Sequence, residues 1–549
     1  MAILIMAGTL SACSSSDGSG ASGGNAGGYA ADGGGDYFEF APETQQITAM
    51  TTIGAYDVDG EMNDGVLQHA DAALTEAYEG YINSEEYNAI IESGYRSAIT
   101  EPLSTFSIDV DTASYANVRR MIEQGMNIDP DAVRIEEFIN YFSYDYSEPN
   151  SDDPFSVNTE LSDCPWNEEA KLLLIGLKAE EIQQEERPPL NLVFLIDVSG
   201  SMFSRDKLPL VQESFTMLTD TLNENDRISI VTYAGEDKVV LEGTSGQDKD
   251  IIKDAINSLE AGGSTYGEAG INRAYELAEE YFITGGNNRV ILATDGDLNV
   301  GLSSEEELTA LIEEKRESGV YLSVLGFGSG NLKDNRMEAL ADHGNGNYSY
   351  IDSKLEAEKV LVNEMTGTLY TVAKDVKIQV EFNPAKVLAY RLIGYENRAL
   401  ANEDFDDDTK DAGEIGAGHT VTALYEILLA DGNVPEISET DLKYSSVNYS
   451  YNESDELLTV SLRYKQPDSD ISKKLEVPVT MDIYTRNLPE NMKFAAAAAE
   501  FGMVLRDSEF MGTASCEQIL DMLGENDYRD DEYKTEFLYL VRTMRKRGY

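Results

Sequence analysis

Five oxygen-bearing residues in three separate loops have the types and order needed to hold a hard divalent cation. Asp197, Ser199 and Ser201 form a D-x-S-x-S turn directly after the apolar run LNLVFLI. Thr265 lies in the glycine-rich loop GGSTYG ahead of a helical stretch, and Asp295 follows RVILAT and precedes Gly296. Mg²⁺ takes six oxygens in a nearly regular octahedron and gives up its waters reluctantly. Ser199 and Ser201 point to the same side of their turn, so both hydroxyls can ligate, and Thr265 can add a third oxygen directly or through water. Neutral hydroxyl ligands leave such a cation electrophilic, with one position open. A rival pattern, Asp295, Asp297 and Asn299 with Glu306, has the spacing of a helix–loop–helix calcium loop. That loop needs glycine at its sixth position, where Val300 stands, and here a buried strand rather than a helix precedes it.

The elements around these residues explain how they could converge. LNLVFLI is apolar throughout, the mark of a parallel strand buried on both faces. From residue 190 to 372 strand-like runs alternate with amphipathic helices, which predicts an α/β fold with a doubly wound, mostly parallel sheet. In such sheets ligands bind beyond the carboxyl ends of the strands at the topological switch point, where Asp197 and Asp295 would fall. Upstream, TFSIDVDTASYANVRRMIEQG reads as a strand turning into a helix, and DPDAVRIEEFINYF as a helix with Asp129 at its N-cap and Pro130 first. PFSVNTELSDCPW and AKLLLIGLKAEE are strands with period-2 character. After residue 373 strands with turn-rich connections predict a β-sandwich, and the chain ends in helices. The expected divisions are 1–12 signal peptide, 13–98 tether, 99–150 N-terminal segment, 151–189 strands, 190–372 α/β domain, 373–488 β-sandwich and 489–549 helices.

The strand-exit motif, together with Thr265 and Asp295, resembles the metal-ion-dependent adhesion site of von Willebrand factor type A (VWA) and integrin inserted domains. The resemblance implies Mg²⁺, alternatively Mn²⁺ or Ca²⁺. Asp197 and Asp295 would hold coordinated waters and balance the charge, and a partner protein's Asp or Glu carboxylate would fill the open position. TFSIDVDTASYANVRRMI, DAVRIEEFINYF, GAGHTVTALYE and KFAAAAAEFGMVLRDSE together resemble a family of bacterial lipoproteins in which a VWA domain is flanked by an N-terminal segment and a β-rich C-terminal region. This implies that the strands before residue 190 and after 373 form one discontinuous sandwich into which the VWA domain is inserted, as in inter-α-trypsin inhibitor heavy chains.

The remaining sequence narrows the function. Lys and Arg number 41 against 101 Asp and Glu, a net charge of −60 that repels nucleic acid and anionic lipid. Three cysteines and three scattered histidines make neither a disulfide framework nor a zinc hydrolase. Leu10-Ser11-Ala12-Cys13 resembles a lipobox with Cys13 as the lipidated residue, although no Lys or Arg precedes it. The Gly/Ser/Ala-rich stretch that follows suits a tether between a lipid anchor and a body in the cell envelope, facing outside the cytoplasm. The acidic run Glu403–Asp408 could hold Ca²⁺ or reach the open coordination position in cis, but reads first as a solvated loop. Ser107–Ser114 mimics the metal motif without the second serine in place. His419 reads as a strand-entry residue, Cys164 and Cys516 as small buried apolar groups, and Trp166 as a filler of a core gap. No nucleophile–base pair is visible, so the expectation is a surface-tethered, cation-dependent protein-binding module and not an enzyme. The alternatives are an assembly or regulatory factor of an envelope complex and, further off, a metal-assisted hydrolase.

Overall fold

The computed structural model describes residues 85–549 except 109, 150–152, 183–186, 235–236, 264–267, 297–304, 331, 365–366, 368, 411, 431–453, 468 and 525–527. Cys13 and Thr265 lie outside the described residues. The stretch read as tether up to residue 98 belongs to the body from residue 85 on. Glu85 pairs with Arg120, Glu86 bridges to Lys333, and the Tyr95 hydroxyl is hydrogen-bonded to Glu426. Strand β1 (Arg96–Ser97) then adds an edge to a later strand at Tyr390 and Ala389. The average composition of the tether hid these few anchoring side chains. Strand β2 (Leu103–Ser107) and helix α1 (Ala113–Glu123) follow as expected. Asp129 caps only a 3-10 turn over Pro130–Ala132, and helix α2 starts afresh at Ile135 and runs to Asn140. The break falls at Arg134, whose backbone is extended and whose guanidinium joins Glu137 and Asp334 at 2.9 Å each. A buried ion network with partners on two elements outweighs the propensity of one helix. Strands β3 (Phe155–Asp163) and β4 (Lys171–Ala179) pair antiparallel.

The α/β unit begins with β5 (Leu190–Asp197), every residue of which is buried. It continues through α3 (Leu208–Thr221), β6 (Arg227–Tyr233), β7 (Asp237–Ser245), α4 (Lys249–Asn257), α5 (Glu268–Glu280), β8 (Asn287–Thr294), α6 (Glu305–Arg316), β9 (Tyr321–Phe327), α7 (Asp334–His343), β10 (Tyr348–Ile351) and α8 (Lys354–Glu358). The sheet runs β10-β9-β8-β5-β6-β7, parallel except for the β7 edge. The strand period of two splits β5 between layers. Leu192, Phe194 and Ile196 pack with Phe215 of α3 and Ile252 of α4, while Val193 and Leu195 pack with Ile271, Ala274 and Tyr275 of α5. Phe194 stacks on Phe215 with ring centroids 4.2 Å apart. Because β5 lies between β6 and β8, the order in which strands are added to the sheet reverses beside it, and the loops leaving β5 and β8 open the switch-point crevice.

Strands β11 (Thr371–Phe382), β12 (Val387–Ile393), β13 (Gly413–Gly416), β14 (Thr420–Leu429), β15 (Glu456–Lys465) and β16 (Ser472–Thr480) complete two further sheets. One sheet runs β1-β12-β14-β4-β3 and the other β13-β11-β15-β16 with β2 also on β11. Strands from both sides of the α/β unit thus alternate within one sandwich: β4 pairs with β14 through Leu174 and Leu424. The α/β unit is an insertion into it. A helical layer of α1, α2, α9 (Glu490–Arg506), α10 (Cys516–Leu523) and α11 (Glu532–Arg547) covers the outer face of the first sheet. Strand β4 is therefore buried on both sides, with Leu173, Ile175 and Leu177 inside the sandwich and Leu172 and Leu174 under the helices. Alanines 495–499 and Gly502 let α9 lie close, since a Cβ on Gly502 would stand 3.1 Å from Ile135. Arg119 of α1, itself buried, ties three elements together through Asp352, Glu356 and Glu536.

Candidate functional site

Strand β5 delivers Asp197 to the sheet's carboxyl edge, level with Tyr233 of β6 and next to the end of β8. The Asp197 carboxylate accepts from the Ser199 backbone N–H at 2.8 Å, an Asx-type turn that reverses the chain out of the sheet. That turn holds Ser199 and Ser201 on one side with their hydroxyl oxygens 2.9 Å apart. Ser199 is buried and Ser201 exposed, so the pair opens to solvent through Ser201. Asp295 leaves β8 and is buried, beside Gly296 with φ +101°, a left-handed conformation that favours glycine. Four of the residues expected at the site therefore converge. Thr265 lies outside the described residues; Gly262 and Gly263 are held at the Asp197 turn by two backbone hydrogen bonds. Gly262 N–H donates to Val198 at 2.7 Å and Gly200 N–H to Gly263 at 3.1 Å.

The chemistry of this donor set suits a small hard cation. The two serine hydroxyls are hydrogen-bonded to each other at 2.9 Å, close to the about 3.0 Å between adjacent corners of an octahedron with oxygens at about 2.1 Å, so a cation could replace that bond without moving them. Two carboxylates stand behind them in a dry setting. Asp197 is pushed up to about 6, chiefly because burial disfavours its charge, with Asp295 adding to the rise and hydrogen bonds from Ser199 opposing it. Burial pushes the Tyr233 hydroxyl well above its ordinary range, and the charges of Asp197 and Asp295 add to the rise. Among the described residues no group of three His, Cys, Asp or Glu side chains could hold a metal; the donors brought together here are two serine hydroxyls and two carboxylates.

Lys207, just before α3, was not among the residues singled out from the sequence. Its ammonium donates to Asp295 at 2.8 Å and its side chain is almost fully buried. A lysine six residues past a serine carries no local signal; only the fold brings it under β8 and β9.

Other candidates resolve differently. The acidic run 403–408 is partly paired: Arg463 bridges to Asp406 and Asp408, and Lys410 to Asp404. Lys377 donates to the carbonyls of Asp404 and Asp407. The side chains of Asp406 and Asp408 and the carbonyls of Asp404 and Asp407 are thus held by strands β15 and β11. His419 precedes β14 with its ring against Gly367, and burial lowers its pKa. Cys164 and Cys516 are free thiols and buried. Trp166 does more than fill space, since its indole N–H donates to the buried Glu426 at 2.6 Å, where Arg391 also binds. A cavity of about 390 Å³ lined by Arg187, Asn223, Arg227 and Tyr281 lies at the amino ends of β5 and β6, opposite the serine pair.

Comparison with known proteins matches this architecture piece by piece. Residues 191–364 match the von Willebrand factor type A domain, residues 81–174 a family described as von Willebrand factor, and residues 367–546 one described as uncharacterized protein YfbK, C-terminal. The chain is 45% identical over 466 residues to uncharacterized protein YfbK of Escherichia coli K12, covering 83% of this chain and 80% of that one. Inter-alpha-trypsin inhibitor heavy chain H3 of Homo sapiens is 30% identical over 180 residues, which is 31% of this chain and 20% of that protein. Among solved structures, a von Willebrand factor type A protein from Catenulispora acidiphila is 17% identical with a TM-score of 0.41, covering 73% of this chain and 92% of that one. VWA domains are generally non-enzymatic interaction modules, often dependent on a divalent metal. A VWA domain inserted between a sandwich's two sets of strands, with a YfbK-type C-terminal region after it, places this chain in the YfbK family.

Proposed function

We propose that this protein is a surface-tethered module that captures a partner protein through a divalent cation at the carboxyl end of β5. The observation that carries the reading is the pair of serine hydroxyls 2.9 Å apart, open to solvent on one side and backed by two buried carboxylates. Ser199, Ser201 and Thr265 would hold Mg²⁺, with Mn²⁺ or Ca²⁺ as alternatives, and Asp197 and Asp295 would balance its charge. A bound cation supplies the positive centre to which a partner's Asp or Glu carboxylate binds. Phe203, in the same loop and 82% exposed, supports this face as the docking surface, because large apolar side chains beside a polar centre serve as anchors. The body's net charge of −60 repels acidic partners at long range, so the partner should carry its carboxylate within a basic surface. Cys13, lipidated, would hold the module at the cell envelope, and no helix among the described residues is long and apolar enough to cross a membrane.

The test uses the full chain against envelope extract in Mg²⁺, in EDTA, and with Ser199→Ala. A partner retained only by the wild type in Mg²⁺ supports the reading. The same partner retained in all three moves recognition to the sandwich and helical flanks. Metabolic fatty-acid labelling tests the anchor: label lost with Cys13→Ser supports it, and an unlabelled wild type rejects it.

A further inference from the structure

The cation site described above contains a cation of the protein's own. Lys207 stands between the D-x-S-x-S loop and α3, anchored at both ends of its backbone. Its N–H donates to Ser204 and its carbonyl accepts from Val211 at 2.9 Å. The side chain is 10% exposed and its ammonium lies 2.8 Å from the fully buried Asp295 carboxylate. A channel is built for its stem. Gly328, at the end of β9, has φ +77°, and a Cβ there would lie 2.3 Å from Cε and 2.4 Å from Cγ of Lys207. The Tyr350 hydroxyl fixes that peptide by donating to the Gly328 carbonyl at 2.5 Å. A flexible surface lysine needs no such channel; this one is held in register with one of the two acids.

The charge balance gives the lysine a role. Among the described residues of the site Asp197 and Asp295 carry two negative charges and the serine hydroxyls none, so a divalent cation alone would balance the pair. Lys207 reduces the site to a single negative charge, and a divalent cation then leaves it one positive charge in excess inside a buried setting. Excess charge of that kind is expensive away from water unless an anion joins it. We propose that Lys207 is a resident counter-cation that makes cation binding and anion binding interdependent. By itself the site holds the metal weakly, and an anionic carboxylate, rather than a neutral oxygen ligand, completes it. This rests on the reading of the site as a cation site, and it adds a reason why the ligand must be charged.

The experiment follows Mn²⁺ binding by electron paramagnetic resonance with the full-length protein, with and without acetate as the carboxylate probe. The variants are Lys207→Met, Lys207→Gln, Lys207→Arg and Ser199→Ala. Lys207→Met and Lys207→Gln should bind Mn²⁺ roughly tenfold or more tightly than the wild type without acetate. Acetate should tighten Mn²⁺ binding to the wild type and to Lys207→Arg but not to the two neutral variants. If the neutral variants bind Mn²⁺ no tighter than the wild type while Ser199→Ala abolishes binding, the site is real and Lys207 is only a strut. If the wild type binds no Mn²⁺, or Ser199→Ala leaves binding unchanged, the cation site itself is rejected and this inference with it.

Discussion

Replacing Asp197 with asparagine should stabilise the metal-free protein while removing its response to metal. Asp197 is fully buried, and burial together with the neighbouring Asp295 charge raises its carboxyl from 3.8 to about 6. For a carboxyl whose folded pKa lies above its unfolded value, the stabilising contribution is complete below pH 3.8 and is lost as pH rises to 6. The difference of about 2 pKa units corresponds to roughly 3 kcal/mol at neutral pH in the absence of cation. Asparagine keeps an acceptor oxygen for the Ser199 N–H and carries no charge, so most of that penalty should disappear. The assay is urea unfolding at pH 5 and pH 7.5, each in EDTA and in excess Mg²⁺. In EDTA at pH 7.5 Asp197→Asn should be more stable than the wild type by about 1–3 kcal/mol, with a smaller gap at pH 5. Saturating Mg²⁺ should stabilise the wild type, by about 2.7 kcal/mol at a hundredfold excess over its dissociation constant, and leave the variant unmoved. A variant less stable than the wild type in EDTA would make Asp197 a structural acceptor and refute the argument. Equal Mg²⁺ stabilisation of both would remove the cation from this site.

Phe203→Ala should weaken capture of the Mg²⁺-dependent partner about tenfold while leaving urea stability within about 0.5 kcal/mol, because the ring is 82% exposed; surface plasmon resonance with that partner checks it. Arg119→Met should lower stability by about 3–5 kcal/mol in urea unfolding, since Asp352 and Glu356 lose a buried cation that pairs with both. Glu500 lies fully buried among the alanines of α9, and burial lifts its carboxyl to about 8. Its stabilising contribution is complete below about pH 4.5 and disappears as pH rises to about 8, a change of up to about 5 kcal/mol. Glu500→Gln should flatten that part of the stability–pH profile, and an unchanged profile would show that Glu500 does not titrate there.

Much of the α/β unit was legible in the residues because its signals are local. The alternation of apolar strands and amphipathic helices between 190 and 372 depends on neighbours a few residues apart. The Asx turn at Asp197, closed between residues two apart in the chain, sets Ser199 and Ser201 side by side. The same holds for the switch point: once β5 is a central parallel strand, its exit is a ligand-binding end. Local signals failed where a distant partner outweighed them. The helix expected from Asp129 breaks at Arg134 because Asp334 lies 200 residues away in sequence and beside it in space. The strand character of β4 gave no hint that both faces would be covered, because the helices that bury Leu172 and Leu174 come largely from the chain's last sixty residues.

What the sequence alone determined is the identity and order of the candidate oxygen donors at 197–201, since a D-x-S-x-S turn is a property of five consecutive residues. Tertiary structure alone decided the electrostatics of that turn. Lys207 reaches Asp295 across 88 residues of chain, through a channel opened by Gly328 on a third element. Charge acts through space and depends on burial, so the balance of a site is set by whatever the fold packs against it.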